Sequence, residues 1–231
     1  MENPSNSHKQ DIEKEIENIF GGRLPEPSQA RQFFEQYNMS MLYYRCAMKE
    51  IETKFEVLSE EFSLRYDRNP ISSVQTRLKR GESIYRKLRR KGLPLSVELI
   101  EQEVSDIAGI RVICPFLDDV YDLERALLEQ DDVTLIRRKD YIKNPKPNGY
   151  RSLHLIVAVP IFLSGGKRIM KVEVQIRTIA MDSWASLEHQ LRYKKDFCLT
   201  GNTERELKIC AELSAELDAR MEMLRQNIIG D

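Results

Sequence analysis

The chain is 231 residues long, enough for one domain with helical additions or two small domains, and its formal net charge is −1. Near-neutrality excludes a bulk electrostatic signature of nucleic-acid or membrane binding. Cys46, Cys114, Cys198 and Cys210 show neither CxxC spacing nor disulfide-scaffold density, and no apolar run is long enough to span a bilayer, so a cytoplasmic protein with reduced thiols is expected.

Residues 1–9 read as disordered, followed by an amphipathic stretch (Ile12, Ile16, Ile19, Phe20) that Gly21-Gly22 stops. Residues 1–28 thus form a flexible segment with one short helix. From Ser28, the expected N-cap, apolar residues recur at helical spacing to about Tyr66: Phe33, Tyr37, Met41, Tyr44, Met48, Ile51, Phe55, Leu58 and Phe62. Such a stripe is core. Residues 71–91 continue as helix by pattern (Val74, Leu78, Ile84, Leu88), with an interruption near Gly81. They hold Arg77, Lys79, Ser83 and Lys87 in the form RxKxxxSxxxK; Ser83 and Lys87 lie one helical turn apart, where hydroxyl and ammonium can grip a phosphate together. A solvated basic helix face is the competing reading of this segment.

A short helix at residues 96–104 precedes Asp106, and Ile110–Cys114 reads as a buried strand. Asp106 before that strand and Arg111 within it are charges beside an apolar run. Each needs a partner, either a structural ion pair or a metal and nucleotide. Asp118 can cap a helix through about Gln130, and Val133–Ile136 starts the next strand. Residues 137–154, RRKDYIKNPKPNGYRSLH, hold six Lys or Arg against one Asp. Asn144-Pro145 and Asn148-Gly149 mark an exposed turn, with Lys139, Lys143, Lys146 and Arg151 around one aromatic ring, Tyr150. Cations neutralise phosphate and a ring stacks a base. Residues 77–91 carry eight basic residues against one Glu, so positive charge is concentrated in two places and the remainder is acidic.

Residues 152–163 and 170–177 read as two further strands about Gly165-Gly166. In the second, Val172, Val174 and Ile176 point one way and Glu173, Gln175 and Arg177 the other. A helix over 178–195 presents Trp184, Leu187 and Leu191 on one face; its Glu188 and His189 read as structural. The last helix, 203–228, has Leu207, Cys210, Leu213, Leu217, Met221, Leu224 and Ile228 at spacings of 3 and 4, a stripe for packing within the chain or across a subunit interface.

Two carboxylates near strand ends, Asp106 and Glu173, are hard ligands suited to Mg²⁺, and two basic segments flank them; together they describe a magnesium-dependent phosphoryl-transfer site. The P-loop, GxGxxG and kinase fingerprints are missing. SDIAGIRV, KDYIKNPKPNGYRSLH, VEVQIRT and WASLEHQLRYK resemble the signature of the RelA/SpoT superfamily of (p)ppGpp synthetases, over about residues 40–195. The length, and the fact that none of His8, His154 and His189 is followed by Asp, point to stand-alone small alarmone synthetases, most similar to the RelP type with RelQ next.

The resemblance implies transfer of pyrophosphate from ATP to the ribose 3′-hydroxyl of GDP or GTP, with release of AMP and no hydrolase activity. Arg77 and Arg111 would then flank adenine, and Lys79, Ser83 and Lys87 would hold the ATP phosphates. Asp106 and Glu173 would bind Mg²⁺, with Glu173 also activating the attacking hydroxyl. Tyr150 would stack guanine with Asn148 on its edge; Lys139, Lys146, Arg151 and His154 would surround the acceptor phosphates, and Gln175 would support the ribose. Lys139 stands where some relatives carry Arg, which bears on acceptor preference. The implied fold is α+β, a mixed sheet of about five strands flanked by helices, related to nucleotidyltransferases. Residues 29–200 would form the synthetase domain and 201–231 an oligomerising helix of a homotetramer. The rival reading, a non-catalytic RNA- or nucleotide-binding module, uses the basic segments but leaves Asp106 and Glu173 unexplained, since acids repel phosphate unless metal-bound. A different nucleotidyltransferase would need a paired-acid motif near a Gly-Ser loop, which is absent.

Overall fold

The computed structural model of the chain describes residues 27–65, 68–193 and 201–229. The expected stretch at Ile12–Phe20 lies outside them. Helix α1 (Pro27–Arg65) opens with a proline, tolerated where no intrahelical N–H partner exists, so it starts one residue before the expected cap Ser28. Its stripe of Tyr44, Ala47, Ile51 and Phe55 is fully buried, as the periodicity requires. The chain continues through β1 (Ser73–Leu78), α2 (Gly81–Arg90), α3 (Val97–Glu103), β2 (Ala108–Cys114), α4 (Leu117–Leu128), β3 (Thr134–Asp140), β4 (Leu153–Leu163), β5 (Gly166–Thr178), α5 (Ile179–Tyr193) and α6 (Gly201–Ile229).

The five strands form one mixed sheet in the order β1-β2-β5-β4-β3. Only β2 and β5 run parallel; the other three pairings are antiparallel. On one face, Ile110 and Val112 of β2, Leu155 and Val157 of β4, and Val172, Val174 and Ile176 of β5 are buried together with α1 and with Val120, Leu123 and Leu127 of α4. Both edge strands are largely exposed. Arg137, Arg138 and Lys139 on β3 discourage pairing with another chain.

The helical reading of residues 71–80 is corrected: Ser73 to Leu78 is an edge strand. Val74 and Leu78 are four apart, a spacing that puts two residues on one side of a helix or a strand alike. Pairing decides between them. Residues 73–78 lie opposite 108–113, and the Lys79 N–H donates to the Ile107 carbonyl at 2.8 Å. The expected cap at Asp118 is also corrected, because Asp118 sits inside the first turn of α4; a carboxylate from far along the chain, Glu222 of α6, accepts the Leu117 and Asp118 N–H groups at 3.1 and 3.2 Å.

Helix α6 does not turn its hydrophobic stripe toward the domain, so of the two expected uses packing within the chain is not the one adopted. Ala211, Asp218 and Glu222 are buried against the domain, whereas Leu213, Leu217, Met221, Leu224 and Ile228 are exposed, together with Leu187 and Leu191 of α5. Of the expected α5 stripe only Trp184 is buried, and its indole N–H donates to the Leu207 carbonyl of α6 at 2.9 Å. Among the described residues no helix is long and apolar enough to cross a membrane.

Candidate active site

Residues directly opposite across a sheet share a face, so the register builds the site. Lys139, His154, Gln175, Arg111 and Gln75 form one row across the five strands; Arg137, Ile156, Glu173, Gly109 and Arg77 form the next. Both rows lie on the face opposite the core. Period-2 alternation of β5 alone puts Glu173 and Gln175 at the centre of a surface that neighbouring strands fill with cations.

Two cavities open on this face. One of about 420 Å³ is lined by Gln75, Arg77, Lys79, Arg111 and Gln175, with Asp106 and Glu173. The other, of about 230 Å³, is lined by Lys87, Arg137, Lys139, Tyr141, Lys146 and His154, again with Asp106 and Glu173. The two carboxylates therefore stand where the cavities meet.

Asp106 receives Lys79 Nζ at 2.7 Å and Lys87 Nζ at 2.8 Å, one on each oxygen. Burial pushes its carboxyl up, but those hydrogen bonds and charges outweigh it and hold the group below the ordinary carboxylate value. Lys87 reaches Asp106 from α2, where the half-buried Ser83 lies one turn earlier. Glu173 behaves alike. Burial raises it, whereas His154 (Nδ1 at 3.4 Å from Oε1) and the Gln175 amide (Nε2 at 2.9 Å from Oε2) lower it further than burial raises it. Both acids are thus ionised in ordinary buffers, although each repels the other.

Behind Glu173 runs a connected polar chain. Arg177 Nη2 donates to the Tyr150 hydroxyl at 2.6 Å and to the Gln175 carbonyl oxygen at 3.0 Å, and the Tyr150 hydroxyl lies 2.7 Å from His154 Nε2. That hydroxyl thus links the Arg177 guanidinium to the imidazole whose other nitrogen faces Glu173. Tyr141, Tyr150 and His154 pack edge to face, and Lys146 stands over both tyrosine rings at 4.7 and 4.5 Å.

Arg111 has Asp182 Oδ1 at 3.3 Å from its Nη1, and its Nε is buried without a hydrogen-bond partner. Burial first, then the nearby Arg177, lower its pKa; Asp182 opposes them. The same Asp182 oxygen accepts from Arg177 Nη1 at 3.1 Å. One carboxylate on α5 therefore holds an arginine from each side of the site.

The structure brings together Arg77, Lys79, Lys87, Asp106, Arg111, Lys139, Lys146, His154, Glu173 and Gln175. Four expected residues line neither cavity: Ser83 lies one turn before Lys87 on α2, and Tyr150 borders the smaller cavity through its hydroxyl bond to His154. Arg151 Nη1 lies 3.2 Å from Asp218 of α6, and Asn148 Nδ2 donates to Glu188 of α5 at 3.3 Å. Gln75, Arg137, Tyr141, Arg177 and Asp182 were not among the expected site residues. Tyr141 sits in the basic stretch and Arg177 on the polar side of β5, so both carried a signal. Asp182 carried none.

The region found in RelA and SpoT proteins matches residues 76–197 of this chain. GTP pyrophosphokinase YwaC of Bacillus subtilis is 41% identical over 194 residues, which cover 84% of this chain and 92% of YwaC. A crystal structure of small alarmone synthetase 1 from Bacillus subtilis bound to its product pppGpp superposes with a TM-score of 0.77 at 34% identity, covering 84% of this chain and 98% of that one. A structure of the same synthetase bound to AMPCPP gives 0.72 at 30% identity, over 85% and 100%.

Proposed function

The chain belongs to the RelA/SpoT family, and on that premise we propose its reaction: it is a GTP pyrophosphokinase, moving pyrophosphate from ATP to the ribose 3′-hydroxyl of GDP or GTP. The observation that carries the reading is the pair of ionised carboxylates, Asp106 and Glu173, at the junction of two cation-lined cavities. In the transfer a bond forms between the 3′-oxygen and the β-phosphorus of ATP. The bond from the β-phosphorus to the oxygen bridging the α-phosphate breaks, AMP leaves with its electron pair, and the hydroxyl proton goes to Glu173.

The larger cavity takes ATP. Arg77 and Arg111 flank its base, and its phosphates extend past Asp106, where the cavities meet, toward Lys79, Lys87 and Ser83. The smaller takes the acceptor, whose phosphates meet Lys139, Lys146 and His154, while the neighbouring Tyr150 ring stacks guanine and Gln175, beside Glu173 where the cavities meet, supports the ribose. Lys79 and Lys87 exchange Asp106 for phosphate when ATP enters, which frees the Asp106 oxygens. Asp106 and Glu173 then suit Mg²⁺, a hard cation that takes few protein oxygens and completes its shell with phosphate and water. The ion, when bound, neutralises phosphate charge. Among the described residues no cluster of three or more metal-binding side chains is present, which fits a metal shared with substrate. An RNA-binding module would use the same cations but would gain nothing from two acids among them.

The exposed stripe of Leu213, Leu217, Met221, Leu224 and Ile228 supports burial against another copy of the chain, in a homotetramer. The reaction is tested with two ATP analogues. One with a methylene between the α- and β-phosphates should inhibit and yield no product; one with a methylene between β and γ should still donate. The reverse pattern would mean that a single γ-phosphoryl group is transferred.

A further inference from the structure

The turn that carries Asn148 and Tyr150 is not free-standing. Gly149 has φ of +89° and lies so close to α6 that a Cβ built on it would stand 2.4 Å from Ala211 Cβ. Two residues on, Arg151 Nη1 reaches Asp218 Oδ2 at 3.2 Å, with side-chain exposures of only 13% and 5%. Ala211 and Asp218 are seven residues apart, two helical turns along one face, so the turn meets α6 at two points about 10 Å apart. Asp218 also accepts a hydrogen bond from the Thr178 hydroxyl at the end of β5. Thr178 in turn accepts the Met181 N–H at the start of α5, and Trp184 of α5 binds α6 through the Leu207 carbonyl. The carboxylate thus joins the acceptor turn, the end of the central strand and the C-terminal helix.

Of the four residues expected around the acceptor phosphates, Lys139, Lys146 and His154 line the smaller cavity, whereas Arg151 lines neither it nor the larger. We propose that Asp218 is a positioning residue for the acceptor nucleotide, holding the Tyr150 turn against α6 through Arg151, and that Arg151 serves as this tether instead of a phosphate ligand. The inference rests on the acceptor assignment made above. The small and polar inward face of α6 follows from it: Ala211 admits the backbone of the turn, and Asp218 fixes its far end.

The test compares Asp218→Asn, Arg151→Gln and Ala211→Val with wild type, measuring KM for ATP and for GDP, melting temperature, and amide hydrogen exchange over residues 141–152. A tether predicts that Asp218→Asn raises the KM for GDP by about tenfold or more, in the range of a misplaced positioning group, and leaves the KM for ATP unchanged. Exchange in the turn should quicken while the melting temperature holds. Ala211→Val, which wedges the turn from the helix, should act in the same direction and carries the test if Asp218→Asn does not fold. If Arg151 binds phosphate directly, Arg151→Gln alone raises the KM for GDP, and Asp218→Asn leaves it unchanged or lowers it; that result overturns the proposal. So does unchanged exchange in the turn of Asp218→Asn. Absence of turnover in wild type would overturn the reaction reading alone, because the exchange data still decide whether the tether exists.

Discussion

Replacing Glu173 by Gln separates chemistry from folding more cleanly than any other change in the site. The carboxylate has two polar neighbours, His154 at 3.4 Å and the Gln175 amide at 2.9 Å, and its side chain is 19% exposed. Gln keeps the volume and one carbonyl acceptor but loses the charge. Loss of a general base costs about 10²–10⁴ in rate, or about 2.7–5.4 kcal/mol at about 1.36 kcal/mol per decade. Weaker binding of the metal should add to that. Stability is a smaller matter with a definite sign. The fold holds Glu173 below its ordinary pKa, so its charge contributes stability above the unfolded value and loses it as pH falls through the folded value. At neutral pH the variant should therefore melt slightly lower, by no more than about 2–4 °C, the shift that about 1 kcal/mol produces in a chain of this size. AMP release, resolved by ion exchange and set beside a melting curve of the same sample, gives both quantities. A folded Glu173→Gln protein that keeps roughly a third of wild-type turnover would show that Glu173 is a solvated strand residue and that the proton goes elsewhere.

Asp182→Asn should raise the KM for ATP and for acceptor together, because one oxygen serves Arg111 and Arg177, and should cost about 1–3 kcal/mol of stability for two partly exposed charge-assisted contacts. A change in one KM only, measured with the other substrate saturating, would contradict a shared anchor. Leu213→Glu with Leu217→Glu, both on the exposed face of α6, should lower the mass measured by light scattering while circular dichroism stays the same; an unchanged mass would remove this stripe from any subunit interface. Burial holds the Asp218 carboxyl above its ordinary value despite its bonds to Thr178 and Arg151, so its charge disfavours the fold above that raised value. Asp218→Asn should then melt no lower than wild type at neutral pH, and any advantage should vanish as pH falls to the ordinary carboxylate range. A variant less stable at neutral pH than at acid pH, relative to wild type, would reverse the sign and the argument.

Much of this site was legible because strand periodicity is local. Alternation over Met170–Arg177 puts Glu173 and Gln175 on one side, and the sheet register of β5 with β2 and β4 bears this out. Asp106 and Arg111 stood out as charges beside an apolar run, and their ion pairs supply the partners that burial demands. The strand at Ser73–Leu78 was hidden because its two apolar residues are four apart, a spacing common to both periods. What settles it is pairing with residues thirty to forty positions away. The inward face of α6 was hidden for a different reason. Hydrophobic periodicity points to the Leu213–Ile228 side, yet the domain takes the side of Ala211, Asp218 and Glu222, where small size and paired charge do the packing. Asp182 looked like any surface acid in a helix. Its role appears only when the parallel pairing of β2 and β5 brings Arg111 and Arg177 to the same oxygen.

Where the terminal phosphates of ATP go decides the reaction. ATP labelled in its γ-phosphate, incubated with the purified protein, unlabelled GDP and Mg²⁺, should yield a labelled guanosine tetraphosphate with one AMP for each product, and no ADP. Phosphorus NMR of the product should show one diphosphate coupled to the ribose H3′, which places the transferred group at the 3′ position. Labelled GTP with ADP, from transfer of a single phosphoryl group, would contradict the central claim, as would nucleotide binding with no AMP formed.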